Sequence, residues 1–167
     1  GWSYRLPTQA EWQYACRGGT TTAFHFGKNA ENIEEYAWVS NPAKDTYEDH
    51  SHEVGLKRPN QFGLFDMHGN VQEWSASSHY EKKVTCGGYW SGNPEECRSA
   101  SWDTAGPTWE FQEHIGFRVV LVPPKGPFKS TEERGVSARS PRKQFALADL
   151  NSTRFTGNLR VTSDSQD

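Results

Sequence analysis

Between Phe62 and Trp74 the chain reads FGLFDMHGNVQEW. The Gly-Asn pair makes a turn. A turn alone has no use for two carboxylates, Asp66 and Glu73, set among Phe, Leu and Trp. The window shows neither helical period nor strict alternation. Irregular backbone must satisfy its own N–H and C=O groups. Two arrangements suit these residues. In the first, a hard cation collects both carboxylates and inward-turned carbonyls. Calcium takes about six to eight oxygens, and Gly69 permits the sharp turn that would aim them. In the second, Asp66 caps a turn and Glu73 pairs with a buried arginine. The spacing is not that of an EF-hand, and spacing alone does not choose between the two.

On the N-terminal side, LPTQAEWQYACRGG (6–19) predicts one short helix over residues 8–17. Thr8 and Glu11 have capping-box spacing, Trp12, Ala15 and Cys16 form an apolar stripe, and Gly18-Gly19 ends it. Elsewhere helical period is scarce. AFHFG (23–27), KVTCGGYW (83–90) and GFRVVLV (116–122) read as short strands bounded by Gly and Pro. A long polar connection, NPAKDTYEDHSHEVGLKRPNQFG (41–63), precedes the opening window. Connections of that length are functional or are held by something other than secondary structure. The pattern is α+β, with few regular elements and much irregular chain packed on aromatics.

Composition agrees. Only 34% of the 167 residues are apolar, yet there are seven Trp, six Tyr and nine Phe, with fifteen Gly and nine Pro. Such a chain is loop-rich rather than a helical bundle. A net charge of −3 gives no reason to expect nucleic acid or an anionic membrane as partner. No apolar run approaches the roughly 18–20 residues of a bilayer span. The composition changes near Val122-Pro123-Pro124. Residues 1–122 hold every Trp and Cys, with 10 basic against 16 acidic residues, whereas residues 123–167 have 8 against 5. The expected organisation is a domain over 1–122 and a polar, basic, disordered tail over 123–167.

YRLPTQAEWQYACRGG (4–19), FGLFDMHGNVQEW (62–74), GGYW (87–90), CRSA (97–100) and GFRVV (116–120) resemble, in this order, the successive motifs of the formylglycine-generating enzyme, or sulfatase-modifying factor, family. The resemblance covers residues 3–122 and corresponds to the C-terminal portion of the family's usual domain. It implies a C-type-lectin-like α+β fold. It also implies calcium, held by the Asp66 side chain, the carbonyls of Gly69 and Val71, and Glu73. A second calcium site of the family would involve the region after Asn32-Ile33, where the spacing departs from the pattern.

In active members, a CxxxxC pair after a GGS motif binds copper and drives oxidation of a cysteine in a target sulfatase. Two thiolates suit a soft ion such as Cu(I). Here the segment is GGYWSGNPEECRSA (87–100). Tyr89 replaces the Ser, Gly92 stands where the first Cys would be, and Cys97 falls on the second by counting. With a gap, Cys97 falls instead on a structural Cys that in some members pairs with the position of Cys16. Neither alignment restores the pair, so copper is not expected. Iron, which a related branch of sulfoxide synthases binds on a separate helical domain, is left open.

The remaining candidates follow. Cys97, the one candidate for chemistry, is a disulfide partner of Cys16, a buried inert thiol, or a reactive thiol; Glu95 and Glu96 argue against the last. A Cys16–Cys97 disulfide would place the protein in an exported, oxidising compartment. Cys86 is a lesser partner. EDHSHE (48–53) superficially offers metal ligands but reads as a solvated loop. His68 and His114 read as structural. Arg118 sits in a strand-like run and needs a carboxylate, with Glu73 a candidate. Trp90, Trp102 and Trp109 line a ligand groove or pack the core. Two functions remain open: a non-catalytic ligand- or protein-binding scaffold using residues 85–115, or an oxidoreductase of the family.

Overall fold

Thr8 fixes the start of α1 (Gln9–Arg17), the one α-helix among the described residues. Its hydroxyl accepts from the Glu11 N–H at 3.3 Å, and Glu11 accepts from the Thr8 N–H at 2.8 Å. The two bonds satisfy reciprocal orphan donors of the first turn. Gly18 closes the other end in the left-handed conformation, at φ 57°. The stripe expected from the sequence turns inward, so that Trp12 and Cys16 are buried.

The structure, a computed structural model, describes residues 1–105 and 113–124. Chain contacts separate Gly1–Val136 from Ser137–Asp167, and only the first of these holds described residues. Strand β1 (Ser3–Arg5) precedes α1. Then come β2 (Gln72–His79), β3 (Lys82–Cys86), β4 (Trp102–Ala105), β5 (Ile115–Phe117) and β6 (Val120–Val122). Short 3₁₀ turns lie at Ile33–Glu35, Pro42–Lys44 and Pro94–Cys97. A four-stranded sheet has the order β4-β3-β2-β5, and β1 pairs with β6 in a separate two-stranded ribbon. β2, β3 and β4 are antiparallel neighbours, while β5 runs parallel to β2, with Glu73 opposite Gly116. This is the expected α+β arrangement with little regular secondary structure.

Two strand expectations change. AFHFG is not a strand; Phe24 and Gly27 make one isolated bridge around a tight turn. GFRVVLV is not one strand but two, in different sheets. The break falls at Arg118-Val119, where Arg118 turns towards Glu73 and the Phe65 carbonyl instead of continuing beside β2. The apolar run hid the break because a charge that is paired inside costs little continuity in pattern.

The apolar core is small and divided. Trp12, Cys16, Met67, Val84 and Cys86 form one cluster between α1 and the sheet. Phe24, Ile33, Ala37, Val39 and Cys97 form a second, beneath irregular chain. Burying large apolar side chains contributes about 1.5–3 kcal/mol each. Much of the remaining order comes from buried polar groups.

The long polar connection shows how. Asn70, buried and at φ 68°, accepts from the His52 N–H at 2.8 Å and donates to the His52 carbonyl at 3.0 Å. Asp66 accepts from the Gly55 N–H at 2.7 Å. Asn60 accepts from the N–H groups of Phe62 and Leu64 and donates to the Ala15 carbonyl. Trp38 stacks on His52 at 3.9 Å, and the Lys57 ammonium lies 3.6 Å from the centroid of the Trp38 ring. EDHSHE is therefore not uniformly solvated: His50 is exposed, but His52 is packed and bonded to Glu48 at 2.6 Å. Side-chain amides and carboxylates do here what a sheet ladder does elsewhere.

Candidate functional site

β2 presents its inward face with polar residues, Glu73 and Ser75, where a core strand usually carries Val or Ile. The Glu73 carboxylate is fully engaged. Oε2 accepts from the Trp12 indole N–H at 2.7 Å and from Arg118 Nε, and Oε1 accepts from Arg118 Nη2 at 2.6 Å. Arg118 also donates to the Phe65 carbonyl at 3.2 Å. Burial works against the Arg118 charge, but Glu73 beside it outweighs that and holds the guanidinium pKa above its usual value. Helix α1, the Phe62–Trp74 window, β2 and the end of β5 are thus joined at one bidentate pair.

The four residues that the resemblance assigns to calcium do not fit calcium in this arrangement. A guanidinium already occupies the charge-balancing place at Glu73, and both Glu73 oxygens have partners. Asp66 keeps one buried oxygen, Oδ1, without a partner. Burial raises the Asp66 pKa, against the opposing effect of the Gly55 N–H and Arg118. Asp66 Oδ1 is thus the one side-chain oxygen of the set without a partner among the described residues, where calcium takes roughly six to eight oxygens in all. Gly69 has a different role from the one expected: a Cβ there would lie 2.3 Å from the Trp38 carbonyl oxygen. Its missing side chain lets two backbones touch, and the Asn70 N–H bonds that same carbonyl at 2.8 Å. Val71 leads into β2 and packs against Gly116.

Cys16, Cys86 and Cys97 are three free, fully buried thiols. The Cys16–Cys97 disulfide is accordingly not formed in this structure. Cys16 instead donates to the Met67 carbonyl at 3.4 Å, and Cys97 to the Asn93 carbonyl at 3.5 Å. Burial pushes the thiols of Cys16 and Cys86 up to about 12, and that of Cys97 higher still, with Glu96 adding to the Cys97 shift. Thiols held neutral in this way are poor nucleophiles. Gly92 is also buried, and a Cβ on it would stand 3.2 Å from Glu96 Oε2 and from the Tyr89 ring. Tyr89 and Glu96 fill the room that a larger residue at 92 would need.

His68 was expected to be structural, and its contacts are internal. Nδ1 donates to the Cys97 carbonyl at 2.6 Å, and Nε2 accepts from the His25 N–H at 3.2 Å. The His25 and His68 rings stack at 4.9 Å, within Phe26 and Tyr36. Neither nitrogen of the His25 ring has a partner. Burial lowers both imidazoles to about 4. Sequence reading did not single out His25, Trp12 or Asn70. Trp12 was visible as a core residue, but nothing local signals that its N–H meets Glu73, 61 residues away.

An open cleft of about 630 Å³ lies between the ends of β3 and β4 and the Pro94–Cys97 turn. Tyr89 and Trp102 wall it, with Asn93, Glu95, Glu96 and Asp103 around them. Of Trp90 and Trp102, the two described tryptophans proposed for a groove, Trp102 lines this cleft, and it is 44% exposed. Trp90 is half-buried, where its N–H bonds the Asn70 carbonyl and its carbonyl accepts from Ser40. Trp109 lies outside the described residues. Cys97 belongs to the same turn but does not reach the cleft.

Comparison with known proteins places this geometry. The chain is 34% identical over 89 residues to the chaperone protein LppX of Paenibacillus barcinonensis, covering 46% of this chain and 32% of that protein. It is 37% identical over 93 residues to the formylglycine-generating enzyme of Mycobacterium tuberculosis, covering 46% and 28%. It is 36% identical over 81 residues to an inactive Cα-formylglycine-generating enzyme 2 of Bos taurus, covering 45% and 27%. Among solved structures, Treponema denticola variable protein 1 superposes with a TM-score of 0.62 at 29% identity, covering 72% of this chain and 48% of that one. PvdO from Pseudomonas aeruginosa gives 0.59 at 31% identity, covering 70% and 51%. The chain thus spans about a third of the length of the curated relatives and about half of the structural ones. A model of the sulfatase-modifying factor enzyme 1-like domain matches residues 2–123, and the chain belongs to that family.

Proposed function

We propose that residues 1–122 act as a non-catalytic ligand- or protein-binding scaffold of the family, with the chain from 85 to 115 as its binding face. The observation that carries this reading is the open cleft of about 630 Å³ with aromatic and polar walls and no thiol among its lining residues. Cys97, the one cysteine in that turn, is buried with its pKa raised. Similarity reaches relatives named as active and relatives named as inactive to much the same degree, so likeness alone does not favour an oxidase. Calcium is not part of the reading, because Glu73 is committed to Arg118 and Trp12.

The test is direct. The chain is incubated with Cu(I), oxygen and a cysteine peptide, and the peptide is followed by mass spectrometry for conversion of its cysteine to an aldehyde. The expected result is unchanged peptide. Copper-dependent conversion that is lost in Cys97→Ser would make the chain an oxidoreductase and end the scaffold reading.

A further inference from the structure

Resting on the scaffold reading, we propose that the cleft recognises an organic cation, an ammonium or guanidinium group carried on an apolar stem. Three carboxylates, Glu95, Glu96 and Asp103, ring the opening, and among the described lining residues there is no Lys, Arg or His. All three side chains are exposed at the rim. Glu96 accepts from the Asn93 N–H at 3.3 Å as part of the turn's capping box, and Asp103 accepts from the Thr104 N–H at 2.7 Å. Among the described residues only Glu95 has a cation, Arg98, which stands outside the lining. Like charges around one concave space repel, and a cation entering it relieves that repulsion.

The walls make the second, independent case. The Trp102 indole stays exposed on β4, with His79 edge-on to it at 5.2 Å. Tyr89 is half-buried, with the His114 ring at 4.8 Å. Aromatic faces attract cations through their quadrupole and shelter an alkyl stem by area. An anion meets net repulsion from the three carboxylates, and a purely apolar ligand makes no use of them. The combination of an aromatic wall and an acidic rim in which, among the described residues, only Glu95 carries a cation fits lysine-, arginine- or quaternary-ammonium-like groups. Their shared chemistry has two sources, a basic side chain of a peptide and a small free cation.

Two probes separate the sources: an acetylated, amidated Gly-Arg-Gly peptide and tetramethylammonium, each followed by calorimetry and by the Trp102 indole resonance. Gly-citrulline-Gly is the neutral control. The expected result is binding of at least one cation, a shifted Trp102 resonance, loss of binding in salt, and no response to citrulline. Glu95→Gln/Glu96→Gln/Asp103→Asn should weaken it at least about tenfold while keeping each hydrogen-bond acceptor. Trp102→Ala should weaken it independently of salt. Equal binding of arginine and citrulline peptides, or wild-type affinity in the triple variant, would overturn the cation assignment. So would no response to either cation. Binding of neutral or anionic compounds in the cleft would overturn it while leaving the scaffold reading standing; aldehyde formation in the copper assay would remove that reading separately.

Discussion

At the scale of the residue, Glu73 is the point on which most depends. It is buried, it lies on an inward strand face, and it balances Arg118 while accepting from Trp12. Removing one member of a buried pair leaves the other charge uncompensated, at a cost of about 3–5 kcal/mol. Glu73→Gln should therefore lose that much in urea unfolding, and Glu73→Gln/Arg118→Met should lose clearly less than the sum of its single variants. Additive losses would mean the two side chains act separately. Asp66 behaves in the opposite sense. Its folded pKa is raised by burial, so the ionised form is penalised and stability from this group falls as pH rises through its range. Asp66→Asn keeps an acceptor for Gly55, and Asn tolerates the left-handed φ of 57°. It should be neutral to stabilising at pH 7, and EDTA should not shift the melting temperature of the parent chain. A drop of several degrees in EDTA would restore calcium at this motif, since a ligand at about 100 times its Kd contributes roughly 2.7 kcal/mol.

At the scale of the element, the hairpin between β2 and β3 turns on Tyr80 and Glu81, both at positive φ, 45° and 63°. Two-residue hairpin turns of that hand favour Asn-Gly. Glu81→Gly should accordingly stabilise the chain by about 1 kcal/mol, visible as a higher melting temperature with unchanged cleft residues. The connection over 41–63 has a different weak point. Asn70 supplies both hydrogen bonds to the His52 backbone, and its own backbone joins Trp38 to Trp90. Asn70→Ala should cost about 1–3 kcal/mol and should raise amide exchange around His52 and Gly55 before it affects α1. Uniform protection loss across the chain would deny the loop this separate hinge. The helix was legible in its own ten residues because Thr8, Glu11 and Gly18 are local signals. The break at Arg118 was not, because it is caused by a carboxylate 45 residues earlier in the chain.

At the scale of the whole molecule, acid should act through the stacked imidazoles. His25 and His68 are held neutral, at about 4 against an ordinary 6.5. The unfolded chain takes up protons near 6.5 and the folded chain does not. Their contribution is thus complete above about 6.5 and is lost as pH falls towards 4. The melting temperature should decline over that window. His25→Phe keeps the ring packing and removes two buried nitrogens without partners, so it should stabilise the chain and flatten the decline. An unchanged slope in that variant would place the acid sensitivity elsewhere. The tail expected over 123–167 lies, from residue 125 on, outside the described residues. Among the described residues no helix is long and apolar enough to cross a membrane.

The sequence by itself determined whatever depends on neighbours along the chain. The capped helix, the α+β balance of a Gly- and aromatic-rich composition, and the order of motifs that marks the family were all readable there. So was the missing cysteine partner at Gly92. The tertiary structure alone showed that Glu73 in the Phe62–Trp74 window pairs with Arg118. Asp66 and Glu73 carry the same charge and similar surroundings in sequence, yet one is left with a free oxygen and the other is closed by Arg118 and Trp12. Electrostatic pairing depends on distance in space, and spacing along an irregular chain does not report it. For the same reason nothing in the order of residues showed that the three thiols are buried and unbonded to one another, and the two described tryptophans of the proposed groove have unequal places. Trp102 faces the cleft, Trp90 is tied into the backbone of the loop, and the difference lies in the strand register and hydrogen bonds that fix each one.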